Sequence, residues 1–254
     1  MASRKEQREL AREQRQRQEA EEQARLRRQR LVQLGSAAVL LAIVAVVAVI
    51  IVSQSGGGSG GDTKLEGVSL VQNELHGLDQ QGLTLGDPKA KVTVVEFGDL
   101  QCPVCKAYSE QVIPQVIKGP VRSGDAKLEF HNWTIIGPQS KPAATASLAA
   151  SEQGRYWSFI NLFYRNQGQE NSGYVTDSFL EAVAKGAGVT DIAKWNQDRQ
   201  STRWDAQLTQ TASQATQLGL TGTPGFLFEG PNGHKTVPSP GSAAAIESAI
   251  RAVS

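Results

Sequence analysis

Val94-Val95-Glu96-Phe97-Gly98-Asp99-Leu100-Gln101-Cys102-Pro103-Val104-Cys105 runs from an apolar segment through a turn into two closely spaced cysteines. Its first part belongs to Lys91–Phe97, a run of β-branched and apolar residues bounded by Gly86-Asp87-Pro88 and Gly98-Asp99. That pattern predicts a buried strand. Pro103 suits a first helical position, where the missing N–H would have no partner anyway. Ala107, Val112 and Ile113 continue an apolar face until Pro114 interrupts it. Cys102 thereby falls at the amino terminus of a helix.

These are the only 2 cysteines of the 254-residue chain, so they cannot form a disulfide framework. A C-x-x-C pair serves either half of a zinc site or a redox centre. A structural zinc site needs four ligands, and His76, His131 and His234 stand singly without ligand spacing, so no metal is expected. The redox reading explains the position. A thiol at a helix amino terminus faces unpaired backbone N–H groups, which favour its thiolate and lower its pKa. Cys102 is then the nucleophile. Cys105, one turn later on the same face and deeper, is the resolving thiol.

Two further features bear on this pair. Glu96 places a carboxylate at the end of an otherwise apolar strand, which is costly to bury unless it is protonated or bonded. Far downstream, Gly222-Thr223-Pro224-Gly225-Phe226 offers an X-Pro bond, the one kind of peptide bond where cis geometry is readily accessible.

Working outward, Lys127–Ile136 reads as a second strand, and Ala143–Phe163 and Asp177–Ala184 read as helices from their apolar spacing. Asp191–Leu218 predicts another long helix. Gly225–Glu229 and Gly233–Val237 predict a hairpin turning at Pro231-Asn232-Gly233, and Ser242 caps a closing helix to Val253. The order is βαβ, a helical block, then ββα. Asp62–Leu85 carries only weak signals and is assigned no structure.

The amino-terminal part has a different character. Residues 1–30 hold ten Lys/Arg and six Asp/Glu, whereas residues 62–254 hold sixteen against nineteen. A mildly acidic globular part argues against nucleic acid as its partner. From Leu34 to Val52 the chain is uncharged and largely Ala, Val, Leu and Ile, long enough as a helix to cross a bilayer. The basic flank precedes it, so the amino terminus is expected inside and the remainder outside. A cleaved signal peptide is the rival, disfavoured by the long charged region and a poor cleavage site. Ser55–Gly61 is a Gly/Ser tether. The expected organisation is a charged cytoplasmic tail over 1–33, a single transmembrane helix over 34–52, a linker and lead-in over 53–79, and a globular domain over 80–254.

The Val94–Cys105 run together with Gly222–Phe226 resembles the DsbA-like branch of the thioredoxin superfamily, across about residues 80–254. The resemblance implies an α/β thioredoxin fold with an inserted helical domain at about residues 140–218. It implies thiol-disulfide oxidoreductase chemistry in which Cys102 and Cys105 are catalytic and Glu96 is a buried acid moving the proton of Cys105. Thr223 and Pro224 match the cis-proline loop that docks an extended substrate, and Pro103 and Val104 belong to the same substrate-facing surface. No metal or organic cofactor is implied, because the cysteine pair carries the electrons. The implied partners are reduced exported proteins and a quinone-linked membrane protein, DsbB-like or similar to vitamin K epoxide reductase, which restores the disulfide. The implied location is a bacterial-type cell membrane with the domain outside the cytoplasm. Strongly oxidising members often carry histidine where this chain has Val104, so oxidising strength is left open. Rival readings are a reductase or isomerase on the same fold, and a noncatalytic anchored interaction module.

Overall fold

The computed structural model describes residues 64–254. The predicted tail, transmembrane span and Gly/Ser tether lie outside the described residues. Among the described residues no helix is long and apolar enough to cross a membrane.

The predicted first strand is the centre of the sheet. Strand β3 (Val92–Gly98) pairs in parallel with β4 (Ala126–Asn132) on one side and antiparallel with β5 (Gly225–Gly230) on the other. Beyond them lie the short strands β1 (Gln80–Gln81) and β2 (Thr84–Leu85) at one edge and β6 (Gly233–Pro238) at the other, in the order β1-β2-β4-β3-β5-β6. A strand buried on both faces reads as a continuous apolar run rather than an alternation, which is what Val92–Phe97 shows.

Alternate residues of β3 enter two cores. Val92 and Val94 pack with Leu128, Phe130, Phe226 and Phe228 in the larger one, which also takes Cys105 and Tyr108 of α2 (Pro103–Gln111) and Ile113 and Val116 of the short α3 (Ile113–Val116). The final helix α9 (Ala243–Val253) adds Ile246, Ala249 and Ile250 to that core. Its first turn is capped by Ser242 as the sequence predicts, the hydroxyl accepting the Ala245 N–H. Val95, Phe97 and Leu227 form the smaller core on the opposite face with Ala215 and Leu220.

Between β4 and β5 the chain builds a block of helices. These are α4 (Ser140–Ser151), α5 (Tyr156–Arg165), α6 (Asp177–Gly186), α7 (Ile192–Arg199) and α8 (Asp205–Gln217), with a 3₁₀ turn at Thr202–Trp204 before the last. Tyr156, Trp157, Phe159, Phe163 and Trp195 are fully enclosed here and join the larger core.

Four sequence expectations are corrected. Ala143–Phe163 is two helices, because Gly154 turns the chain at φ 65, a left-handed conformation that suits glycine. Asp191–Leu218 is likewise interrupted, where Ser201 caps the 3₁₀ turn. The second strand stops at Asn132 rather than Ile136, since the Ile135 and Ile136 N–H groups bond to the Asp99 carboxylate instead of a neighbouring strand. Finally, Asp62–Leu85 contains α1 (Val68–Leu75), which buries Val71 and Leu75 four residues apart, besides β1 and β2.

Candidate functional site

β3 ends at Gly98, the backbone turns through Asp99-Leu100-Gln101, and α2 begins at Pro103 with Cys102 as its N-cap. The Cys102 sulfur accepts the Cys105 N–H at 3.4 Å, occupying the place of a capping side-chain oxygen. Both cysteines are free thiols, with Cys105 fully enclosed and Cys102 3% exposed. Pro103 and Val104 are half-buried between them.

Pro224 arrives from the other end of the fold. The Thr223–Pro224 bond is cis, and the Thr223 backbone oxygen lies 3.5 Å from the Cys102 sulfur, accepting from the thiol. Pro224 is buried and Thr223 half-buried. Ser239 holds this loop from behind, its hydroxyl donating to the Pro224 oxygen at 3.0 Å. The Gly241 N–H donates to the Tyr108 hydroxyl at 2.7 Å, which ties the same stretch to α2.

Glu96 lies within β3 between Phe130 of β4 and Phe226 of β5 in register. It is 4% exposed, and its Oε1 has no hydrogen-bond partner. Loss of hydration raises its pKa to about 8, with the nearby Cys102 charge adding to the effect. An uncharged carboxyl that can release its proton just above neutrality is therefore held beside the thiols. Gly98 makes the packing possible, since a Cβ there would stand 2.5 Å from the Phe130 ring.

The two thiols are pushed in opposite directions. Donation from the Cys105 thiol is the largest influence on Cys102; with the Thr223 side chain and the N–H groups of Cys105 and Val104 it outweighs burial and lowers the pKa to about 7. Burial drives the Cys105 thiol well above its ordinary value, and donation to Cys102 and the charges of Cys102 and Glu96 push the same way. Such a pair can offer one thiolate near neutral pH while keeping the other protonated until its partner is consumed.

All seven residues singled out from the sequence thus fall at this one place or immediately around it. A supporting layer had no signal of its own in the sequence. Asp99 accepts three backbone N–H groups, Tyr164 donates to the Asp99 oxygen at 3.0 Å, and the Gln167 side chain donates to the oxygens of Leu100 at 2.7 Å and Cys102 at 3.1 Å. Gln101 reaches Ser140 of α4 and accepts the Asn171 N–H. The helical block thus grips the turn that carries Cys102. The three histidines are elsewhere: His76 follows α1, His234 is in β6, and His131 in β4 pairs with Glu129 at 3.1 Å.

Comparison with known proteins agrees with this architecture. A family profile described as thioredoxin matches residues 79–250. A probable disulfide bond formation protein D of Bacillus cereus is 28% identical over 161 residues, covering 62% of this chain and 74% of that protein. Disulfide bond formation protein D of Bacillus subtilis is 35% identical over 103 residues, covering 40% of this chain and 46% of that one. The crystal structure of oxidised BdbD from Bacillus subtilis superposes with a TM-score of 0.60 at 24% identity, covering 68% of this chain and 96% of that chain. With the profile spanning most of the described residues, the chain belongs to the thioredoxin family.

Proposed function

We propose that this thiol-disulfide oxidoreductase introduces disulfides into exported proteins through the Cys102–Cys105 pair. The observation that carries the reading is the opposed tuning of the thiols, Cys102 at about pKa 7 and Cys105 far above, with the cis Thr223–Pro224 loop against Cys102. A stable Cys102 thiolate makes the dithiol form a good leaving state, so the disulfide form is an electron acceptor.

In the oxidising direction a substrate thiolate attacks the Cys102 sulfur of the disulfide. The Cys102–Cys105 bond breaks, and Cys105 leaves with the electron pair. Glu96, protonated below about pH 8, supplies the proton that this buried sulfur needs. A second substrate thiolate then attacks the substrate sulfur of the mixed disulfide, which closes the substrate disulfide and releases Cys102 as thiolate. Two electrons have passed to the protein. Thr223, with its backbone oxygen against Cys102, pairs with the backbone of an extended substrate. Pro103, Val104 and Pro224 border the same approach.

The two-electron product must be reoxidised, and a quinone-linked membrane protein, DsbB-like or similar to vitamin K epoxide reductase, fits that need. An anchor at residues 34–52 with the domain outside would place both reactions at a bacterial-type cell membrane. The names of the Bacillus relatives, which refer to disulfide bond formation, support the oxidising direction. Val104 favours the second reading, a reductase or isomerase, because its side chain adds neither charge nor hydrogen bond to the thiolate. The deciding experiment is the reduction potential of the purified protein together with its redox state in the cell. A strongly negative potential with a reduced cellular pool would sink the oxidase reading.

A further inference from the structure

We propose that Asp99 is a positioning residue for the cysteine pair, its carboxylate locking the turn that carries Cys102 to the loop after β4. Asp99 is 1% exposed. One carboxylate oxygen accepts the Gln101 N–H at 2.9 Å, and the other accepts the N–H groups of Ile135 and Ile136 at 2.8 and 2.9 Å. Three donors from two segments distant in sequence converge on one side chain. An ionised carboxylate offers acceptors at both ends and no donor, whereas an amide would turn an NH₂ toward at least one of these N–H groups.

The backbone of the same residue also holds Cys102. Its carbonyl accepts the Cys102 N–H at 2.9 Å and the Tyr164 hydroxyl at 3.0 Å. The influences that favour the Cys102 thiolate are the Cys105 thiol, the Thr223 side chain and the N–H groups of Cys105 and Val104. The Cys105 N–H meets the Cys102 sulfur at 3.4 Å, and contacts of this kind depend on where the turn is held. Asp99 acts by fixing that place, not by its charge, because a negative charge nearby works against a thiolate.

Position and charge make opposite predictions, which allows a direct test. The inference rests on Cys102 being the attacking thiol, yet the readout is the thiolate itself and not turnover. In the reduced full-length chain, Cys102 is titrated by alkylation rate against pH in wild type, Asp99→Asn and Asp99→Glu, and each potential is set against glutathione. Asp99→Asn is expected to raise the Cys102 inflection by about one unit, leaving about fivefold less thiolate at pH 7, and to make the potential more negative. Asp99→Glu keeps the charge but displaces the oxygens, and is expected to shift both in the same direction. It also serves alone where the asparagine variant does not fold.

A lowered inflection in Asp99→Asn with no change in Asp99→Glu would overturn the proposal in favour of a charge effect. An unchanged inflection in both, with only a lower melting temperature, would overturn it in favour of a purely structural role. Loss of the oxidase reading shows separately, as a wild-type protein that fails to oxidise a reduced dithiol peptide while the Asp99 variants still shift the titration.

Discussion

Glu96 stands in register with Phe226 across the β3–β5 pair, and the Oε1 of this one carboxyl of the central strand is buried with no hydrogen-bond partner. Its pKa rises to about 8 from 4.5, mainly by burial. The folded protein therefore holds this proton more tightly than the unfolded chain. The resulting stability is complete below pH 4.5 and is lost as pH rises toward 8. Between pH 4.5 and 7 this amounts to about 3 kcal/mol. Other ionisable groups around Glu96 are Cys102, Cys105, Tyr108, Tyr156 and Tyr164. Cys102, lowered to about 7, begins to add stability only above that window, and the remaining groups are raised beyond it. Urea unfolding of the reduced protein should show a loss in wild type that is smaller in Glu96→Gln by this amount, since Glu74 and Glu110, also raised by burial, contribute equally to both proteins. An equal pH dependence in both proteins would remove Glu96 as the source. The same variant is expected to slow release of Cys105 about tenfold or more in single-turnover exchange.

The thiols should separate cleanly by chemistry. Alkylation of the reduced protein is expected at Cys102 alone, with a rate that rises through pH 7, while Cys105 stays unreactive across the neutral range. The Cys105 thiol is the largest cause of the lowered Cys102 pKa, so Cys105→Ala should raise the inflection by about one unit or more. Cys102→Ser should abolish substrate oxidation, and Cys105→Ser should accumulate a Cys102 mixed disulfide. Mass mapping of the modified cysteine checks the assignment, and preferential labelling of Cys105 would reverse it.

What could be read from the sequence follows from how local each signal is. The Cys102–Cys105 spacing, the Pro103 helix start and the apolar run of β3 are local patterns, and Thr223-Pro224 is a local pattern recognisable beside them. Gly154 was visible too, but the apolar spacing on either side continued in phase and hid the break between α4 and α5. Asp99, Tyr164 and Gln167 were invisible for a different reason. Each contacts the active turn through bonds to backbone atoms, some spanning more than sixty residues, and backbone acceptors leave no trace in the partner's side-chain identity. The early end of β4 has the same origin, since only the fold reveals that Asp99 takes the N–H groups of Ile135 and Ile136.

Gln167 gives the most direct test of the grip that the helical block exerts. One buried NH₂ serves two carbonyls, those of Leu100 and Cys102, on either side of the turn. Gln167→Met keeps the length and removes the donor. The Cys102 carbonyl keeps the Lys106 N–H, but the Leu100 carbonyl is left buried without a partner, which costs about 1–3 kcal/mol, so the urea midpoint should fall accordingly. The Cys102 alkylation rate at neutral pH should fall with it. A variant as stable as wild type would mean that water or a neighbour takes over the bond to Leu100.

Val104 sets the last expectation, because its side chain is half-buried between the cysteines, while Pro103, the other intervening residue, opens the helix. The Val104 backbone N–H already favours the Cys102 thiolate, but its isopropyl group has nothing to add. An imidazole in its place carries a donor and, below its own pKa, a positive charge beside the sulfur. Val104→His should therefore lower the Cys102 inflection below 7. Each unit of lowering is worth about 1.4 kcal/mol of stabilisation of the reduced form, or about 30 mV in a two-electron couple. The disulfide should become more oxidising by that amount in equilibrium with glutathione, and thermal stability should favour the reduced protein over the oxidised one more than in wild type. A potential that stays fixed while the inflection moves would break the link between thiolate stability and redox poise on which the oxidase reading depends.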